Sequence, residues 1–272
     1  MDATPKVATQ RARATCPAAL ALATTPRPPA ARSPQLVDHA GDLRGPLPWV
    51  ASEAVDAAPD APLLVLLHGR GDSPERFLRL GHDLAARLDR PLRIIAARAP
   101  QPLGVSGGRQ WFGREAPPGQ TPEPPAKALA ARVDELSVLL GRLAERYPAA
   151  PPPILVGFSQ GAMVALHFAA AAGAGATTAR VSGVVALSGA FAAEIAPAVP
   201  ADPRATAAQR PPVLVVAGTR DTIVPPEGAW RAADWFAARG HAVACHAFDG
   251  THRVTPAVLD AVAGWLHTHF AP

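Results

Sequence analysis

The sequence has little cysteine and no long apolar run. Its 272 residues include two cysteines, Cys16 and Cys245, which are too few for a disulfide framework and are expected to be free thiols. No Cys-x-x-Cys or His-Glu-x-x-His pattern indicates a metal site, and no apolar stretch approaches the roughly 20 residues of a bilayer span. The sequence therefore predicts no disulfide scaffold, no membrane span, and no metal or other cofactor.

The sequence also lacks an excess of basic charge outside its first residues. The formal net charge is +4, and residues 1–35 alone, with five basic residues and one acidic residue, account for it. A folded basic face that would indicate a nucleic-acid partner is therefore not expected. Residues 1–35 are rich in Ala, Pro, Arg and Thr without apolar periodicity, which predicts a disordered tail before a single α/β domain at 36–272. The tail contains a weak signal-like piece at 18–23, so secretion is an alternative to a cytoplasmic location.

Apolar runs alternate with helical patterns along the rest of the chain. Residues 63–67 and 213–217 are apolar on both faces, which is typical of central parallel strands, and 36–55 predicts one or two edge strands. Apolar residues recur every three or four positions from Leu129 to Tyr147, which predicts an amphipathic helix. This alternation predicts a mostly parallel, doubly wound sheet with right-handed crossovers and helices on both faces.

A Gly-x-Ser-x-Gly pentapeptide at 157–161 lies between an apolar strand and an apolar helix. In that context the serine stands on a sharp strand-to-helix turn, and the flanking glycines let neighbouring backbones pass closely. The alternative is a serine in an ordinary glycine-rich turn. The strand before it and the helix after it favour Ser159 as an exposed nucleophile.

A serine nucleophile needs a base, and the base needs a carboxylate that fixes its tautomer. Asp221 and His252 each follow a predicted strand, at the sheet edge where active sites of doubly wound folds gather. The order Ser159, Asp221, His252 along the chain is that of nucleophile, acid and base in α/β-hydrolases. Asp249 is the alternative acid, but it lies close in sequence to His252 and would not easily approach the ring from the required side.

Other loops at the same edge supply the remaining candidate residues. Backbone N–H groups of Gln160 and Arg70 are placed to bind a tetrahedral oxyanion, and His68 is expected to shape its loop. Trp111 and Phe112 occur in a long loop predicted at 100–125, where we expect them to be exposed and to bind substrate. The proline-interrupted excursion at 189–212 has few large apolar residues, which predicts a minimal cap and a shallow groove between this excursion and the aromatic pair.

These motifs together resemble the phospholipase/carboxylesterase family of α/β-hydrolases, which includes the acyl-protein thioesterases. The resemblance covers about residue 63 to the C-terminus and implies a Ser159–His252–Asp221 triad with an oxyanion hole from the Arg70 and Gln160 amides. The sequence departs from the family at Arg70, where a small or apolar residue is usual, and at Gly113, where an aspartate commonly follows the aromatic pair. The motifs that carry the resemblance are HGRGD (68–72), Trp111-Phe112, GFSQGA (157–162), GTRDTIVP (218–225) and GTH (250–252).

The expected function is that of a serine carboxylesterase or thioesterase. It would hydrolyse short-to-medium acyl esters through an acyl-enzyme on Ser159, with a small-molecule ester or thioester as its partner and a monomer or homodimer as its assembly. One alternative is a catalytically silent binding protein of the same fold. Another keeps the chemistry but changes the substrate to a polyester, a carbohydrate ester or a peptide.

Overall fold

The computed structural model describes residues 35–41, 45–88, 90–104, 107–113, 125–196 and 210–269. Of the disordered tail predicted at 1–35, residues 1–34 lie outside these described residues, whereas the Gln35 carbonyl accepts a hydrogen bond from Val55 N–H at 3.0 Å. The described elements, in chain order, are β1 (Leu36–Ala40), β2 (Trp49–Ala54), β3 (Leu63–Leu67), α1 (Pro74–Ala85), β4 (Arg93–Ala97), β5 (Gln101–Leu103), β6 (Gly108–Gln110), α2 (Pro125–Arg146), β7 (Ile154–Phe158), α3 (Gln160–Gly173), β8 (Gly183–Leu187), a 3-10 turn (Ala193–Ile195), β9 (Val213–Gly218), α4 (Pro226–Ala237), β10 (Val243–Phe248) and α5 (Pro256–His269).

The main sheet has the strand order β1-β2-β4-β3-β7-β8-β9-β10. Strands β4, β3, β7, β8, β9 and β10 pair in parallel, whereas β2 is antiparallel to both of its neighbours, β1 and β4. The mostly parallel sheet and the two strands at its edge are as predicted. Because the parallel strands point the same way, the loops that follow β3, β7, β9 and β10 all emerge at one edge of the sheet.

The two faces of the sheet pack into separate hydrophobic layers. All five residues of β3 are buried, and they alternate between the layers because side chains in a strand point to opposite faces. Leu63, Val65 and Leu67 pack on the side of α2, α3 and α4, and Leu64 and Leu66 on the side of α1 and α5. The prediction of helices on both faces is confirmed.

Side-chain hydroxyls cap the beginnings of helices α1 and α5. The Ser73 hydroxyl accepts the N–H of Arg76 at 3.4 Å, with Pro74 as the first helical residue of α1. Thr255 holds the N–H of Val258 in the same way at the start of α5, at 3.3 Å. Helix α1 ends at Ala85.

The loop predicted at 100–125 is not wholly irregular, because β5 and β6 form an antiparallel hairpin within it. Gly104 and Gly107 near its turn have φ angles of 64° and 75°, which favour glycine. The hairpin is also joined to the loop after β3, since Gly71 N–H donates to the Arg109 carbonyl at 2.8 Å. This attachment brings residues 108–112 to the same sheet edge as Ser159.

Over the described residues, no helix has both the length and the apolar character needed to cross a bilayer.

Candidate active site

Ser159 occupies a strained turn between β7 and α3. Its φ and ψ are 54° and −117°, a left-handed φ that non-glycine residues rarely adopt. A Cβ at Gly161 would overlap the carbonyl oxygen of Leu67, and one at Gly157 would lie 2.5 Å from the Gly161 carbonyl carbon. The glycines are therefore required by backbone-to-backbone approach, and the serine stands at the end of β7 beside the end of β3.

The predicted acid and base are hydrogen-bonded to each other. His252 Nδ1 donates to Asp221 Oδ2 at 2.7 Å, and the Asp221 side chain has no solvent exposure. The other carboxylate oxygen, Oδ1, accepts the backbone N–H groups of Ile223 and Val224, each at 2.9 Å. The loop after β9 thus fixes the carboxylate, and the carboxylate fixes the ring.

The loops after β9 and β10 meet because their backbones bond directly. Thr219 N–H donates to the Phe248 carbonyl and Arg220 N–H to the Gly250 carbonyl, both at 2.9 Å. A Cβ at Gly218 would lie 2.5 Å from the Gly250 oxygen, so this approach also needs a glycine. The contact brings Asp221 and His252 together although they are 31 positions apart in the sequence.

The rival acid, Asp249, has a different environment. Its Oδ1 accepts from Arg220 Nε at 2.7 Å, and its side chain is 83% exposed. An exposed surface pair of this kind orients little. The carboxylate that bonds to His252 is that of Asp221, whereas that of Asp249 pairs with Arg220.

The His252 ring also lies close to the nucleophile turn. Its centroid is 4.8 Å from that of Phe158, the residue before Ser159, and its side chain is 17% exposed. With the proton on Nδ1 donated to Asp221, Nε2 carries the free lone pair. That nitrogen is the one a general base would use.

The loop after β3 packs against the nucleophile turn. A Cβ at Gly69 would lie 2.9 Å from Phe158 Cδ1 and 3.5 Å from Ser159 Cβ, so the residue before Arg70 lies beside the serine. Gln160 is the first residue of α3, where N–H groups have no partner within the helix and the dipole favours negative charge. The Arg70 side chain is exposed and donates through Nε to Gln110 Oε1 at 3.1 Å. Oxyanion binding by the Arg70 and Gln160 N–H groups stays a prediction.

His68 shapes the loop, as its position suggested. It is fully buried, its Nδ1 donates to the Gly69 carbonyl at 2.8 Å, and its Nε2 accepts Ala99 N–H at 3.3 Å. Burial lowers the pKa of His68, and the bond to Gly69 offsets part of that effect. The neutral ring thus bridges two loops.

The expected exposure of Trp111 and Phe112 is wrong. Trp111 is 0% and Phe112 is 9% exposed, and both belong to the core on the α2 and α3 side. Large aromatic rings gain most from burial, and the indole N–H is satisfied by the His68 carbonyl at 2.7 Å. Trp111 therefore packs in the core beneath the loop that begins at His68 and does not line an open groove. A substrate contact by Phe112 stays a prediction.

Two side chains near the site were missed at the level of motifs. The Gln160 amide is buried against the backbone of Trp111 and Phe112, and Arg132 Nη1 donates to the Trp111 carbonyl at 2.8 Å. Arg132 had a signal in the sequence, because it lies on the apolar face between Leu129 and Leu136. Gln160 had none, since its motif role concerns only the backbone.

The excursion after β8 also differs from the expected groove wall. Phe191 is buried, with its ring 4.7 Å from Trp235 and 5.3 Å from Phe236, and so anchors the excursion to the core. The described part adds only the 3-10 turn at 193–195, and residues 197–209 lie outside the described set. The shallow groove between this excursion and the aromatic pair is thus not formed by Trp111 or Phe191.

One apolar groove of about 310 Å³ lies away from these residues. It is lined by the last turns of α2 and by residues 150–153, which precede β7, and it includes Leu63, the first residue of β3. The amino ends of parallel strands face away from the edge that carries Ser159. This groove is therefore separate from the candidate active site.

Comparison with known proteins gives both a family and a fold. A model of the phospholipase/carboxylesterase family matches residues 51–270. The comparison with curated proteins gave no significant match.

Solved structures resemble the chain over most of its length. Esterase PE8 is 26% identical, covering 79% of this chain and 95% of that chain, with a TM-score of 0.62. Acyl-protein thioesterase 2 of Zea mays is 23% identical, covering 84% and 100%, with a TM-score of 0.60. A carboxylesterase of Mesorhizobium loti is 19% identical, covering 86% and 99%, with a TM-score of 0.62. With the observed sheet order, these likenesses show the predicted α/β-hydrolase fold.

Proposed function

Because the chain belongs to the phospholipase/carboxylesterase family of hydrolases, we propose that it is a serine carboxylesterase or thioesterase that works through an acyl-enzyme on Ser159. The observation that carries this proposal is the 2.7 Å hydrogen bond between His252 Nδ1 and Asp221 Oδ2. It lies at the sheet edge where Ser159 occupies its strained turn. A binding protein without catalysis would not need this carboxylate–imidazole pair.

Acylation begins when Ser159 Oγ attacks the carbonyl carbon of the ester or thioester. His252 Nε2 accepts the hydroxyl proton, while the buried Asp221 carboxylate holds the other ring proton and stabilises the imidazolium. The carbonyl oxygen becomes an oxyanion that receives hydrogen bonds from the Gln160 and Arg70 backbone N–H groups.

Collapse of the tetrahedral intermediate re-forms the carbonyl and expels the alcohol or thiol, which takes the proton from His252. Water then enters, His252 Nε2 accepts one of its protons, and the oxygen attacks the acyl carbon through a second oxyanion. Breakdown releases the carboxylic acid and returns the proton to Ser159 Oγ. The two half-reactions use the same three side chains and the same donors.

The proposed substrates are small esters or thioesters with short-to-medium acyl chains. A lid that covers a long acyl tunnel needs helices with a wide apolar face. The described part of the excursion after β8 has one 3-10 turn, and its Phe191 side chain is buried in the core. These features support ordinary saturation kinetics with soluble substrates and weak action on long-chain triglycerides.

A fluorophosphonate probe tests the proposal, since only an activated serine is phosphonylated. The wild-type protein should label and the Ser159→Ala variant should not. A panel of p-nitrophenyl esters and matched thioesters of graded acyl length then measures substrate range. Absence of both labelling and hydrolysis in the folded wild type would favour a binding protein, and a rate that rises sharply at the solubility limit of the ester would indicate a lid.

A further inference from the structure

The side chain of Gln160 makes contacts that the nucleophile motif does not require. It is 6% exposed, its Oε1 accepts the Trp111 N–H at 3.0 Å, and its Nε2 donates to the Phe112 carbonyl at 2.9 Å. The amide thus makes both bonds that the backbone of a neighbouring strand would otherwise make. Residues 111–112 are held directly to the first turn of α3.

The same segment is bonded to the loop that carries Arg70. The Trp111 indole N–H donates to the His68 carbonyl at 2.7 Å. Two residues earlier, Gly71 N–H donates to the Arg109 carbonyl at 2.8 Å and Arg109 N–H donates to the Asp72 carbonyl at 2.9 Å. The loop at 68–72 is therefore bonded on both sides of Arg70 to residues 109–111.

A third element restrains the peptide between Trp111 and Phe112. Arg132 of α2 is buried and its Nη1 donates to the Trp111 carbonyl at 2.8 Å. With the two bonds from Gln160, the Trp111 N–H, the Trp111 carbonyl and the Phe112 carbonyl are tied to α2 and α3 at once. Breaking buried hydrogen bonds of this kind leaves donors and acceptors without partners, which costs free energy, so the segment is held in one place.

We propose that the Gln160 side chain and Trp111 are positioning residues that set the spacing between the two oxyanion donors, the backbone N–H groups of Gln160 and Arg70. This inference rests on the proposed function. An oxyanion hole works only if its donors lie about 2.7–3.1 Å from the developing charge, and a displacement near 1 Å can cost about 10²-fold in rate. The bridge from α3 through residues 109–112 to the loop at 68–72 joins the two elements that carry those donors.

The test compares the affinity for a transition-state mimic with the affinity for substrate. Gln160→Met keeps the backbone N–H and the length of the side chain but removes both bridge bonds, and Trp111→Phe removes the indole donor. We expect each variant to lower kcat and kcat/KM together by about 10- to 100-fold, with KM within about twofold of wild type. The inhibition constant of an alkyl trifluoromethyl ketone, which forms a tetrahedral adduct with the serine, should rise in proportion.

The bridge also predicts non-additivity. Because both substitutions interrupt one connected path, the double variant should lose less than the product of the two single losses. Two controls measure the effect of destabilisation alone. Ser137→Ala removes two half-buried hydrogen bonds of α2, one to the Val133 carbonyl and one to the Thr177 hydroxyl, and Trp265→Phe shortens a buried ring on α5. Both controls should keep the wild-type ketone affinity.

The outcomes separate the inference from the function beneath it. If Gln160→Met and Trp111→Phe are less stable but bind the ketone as tightly as wild type, the bridge is structural only and the inference is overturned. If Gln160→Met does not fold, Trp111→Phe decides alone on the same measurement. Failure of the wild type to label with a fluorophosphonate would overturn the proposed function instead.

Discussion

Replacing Asp221 with asparagine tests the proposed catalytic acid most directly. The carboxylate accepts three hydrogen bonds, two from the Ile223 and Val224 N–H groups through Oδ1 and one from His252 through Oδ2. Asparagine has the same shape but only one acceptor oxygen. If that oxygen takes the two backbone donors, the NH₂ group faces His252 Nδ1 and forces the ring proton onto Nε2.

The magnitude follows from the loss of the correct tautomer. With Nε2 protonated, the ring cannot accept the proton of Ser159, and in serine proteases the same change lowers kcat about 10⁴-fold while the geometry is kept. We expect a loss of about 10³- to 10⁴-fold in kcat, equivalent to about 4 to 5.5 kcal/mol of transition-state stabilisation. KM should change little, because the substrate does not contact this side chain.

Asp249→Asn is the matched control. Its carboxylate is exposed and pairs with Arg220 at the surface, an interaction that contributes about 1 kcal/mol or less to stability. Hydrolysis of a soluble p-nitrophenyl ester by the control should stay within about twofold of wild type. The assignment is refuted if Asp249→Asn is the more damaging change, or if Asp221→Asn retains more than about a tenth of the wild-type kcat/KM.

Three further predictions use simpler measurements. Ser159→Ala and His252→Ala should each lower kcat by about 10³-fold or more with an unchanged melting temperature. A variant whose activity matches that of the wild type would contradict the proposed triad. EDTA should leave the ester hydrolysis rate unchanged, because the proposed triad generates its own nucleophile, and recovery by zinc or manganese would show otherwise. Burial lowers the pKa of His68, His167 and His241 in the folded protein, so the unfolded chain binds more protons than the folded one as the pH falls below about 6.5. The free energy of unfolding should therefore decrease by up to about 1.4 kcal/mol per histidine and pH unit, and the melting temperature should fall with it. A melting temperature that is flat from about pH 7 to 5 would contradict this.

The main fold elements could be predicted because their signals are local. Strands β3 and β9 are buried at every position, and a short run of consecutive apolar residues is typical of a parallel strand covered on both faces of a sheet. The hairpin of β5 and β6 escaped prediction because each strand has only three residues. Its bonds to Gly71 and Asp72 come from more than 30 positions away, and no local pattern reports them.

Trp111 shows the same limit within the candidate site. Its loop is polar and rich in glycine and proline, which are properties of exposed chain. Its burial depends on acceptors and donors supplied by His68, Gln160 and Arg132, and those partners come from three other elements of the fold. An aromatic residue with satisfied polar groups and a core to enter is buried, whatever the composition of its neighbours.

The strand-to-helix turn at Ser159 could be predicted from the sequence because its constraint is local. At Gly161 any side chain would overlap the Leu67 carbonyl oxygen, so only glycine fits and the sequence shows it. At Gln160 the constraint falls on two hydrogen bonds to a distant backbone, and several polar residues would look equally plausible there from the sequence alone. A residue whose identity is restricted by steric overlap can thus be identified from a motif. A residue whose role depends on hydrogen bonds to distant parts of the chain can be identified only from the three-dimensional structure. Among the described residues near Ser159, Gln160 and Trp111 are of the second kind, which is why their proposed effect on the proposed oxyanion donors could be inferred only with the structure.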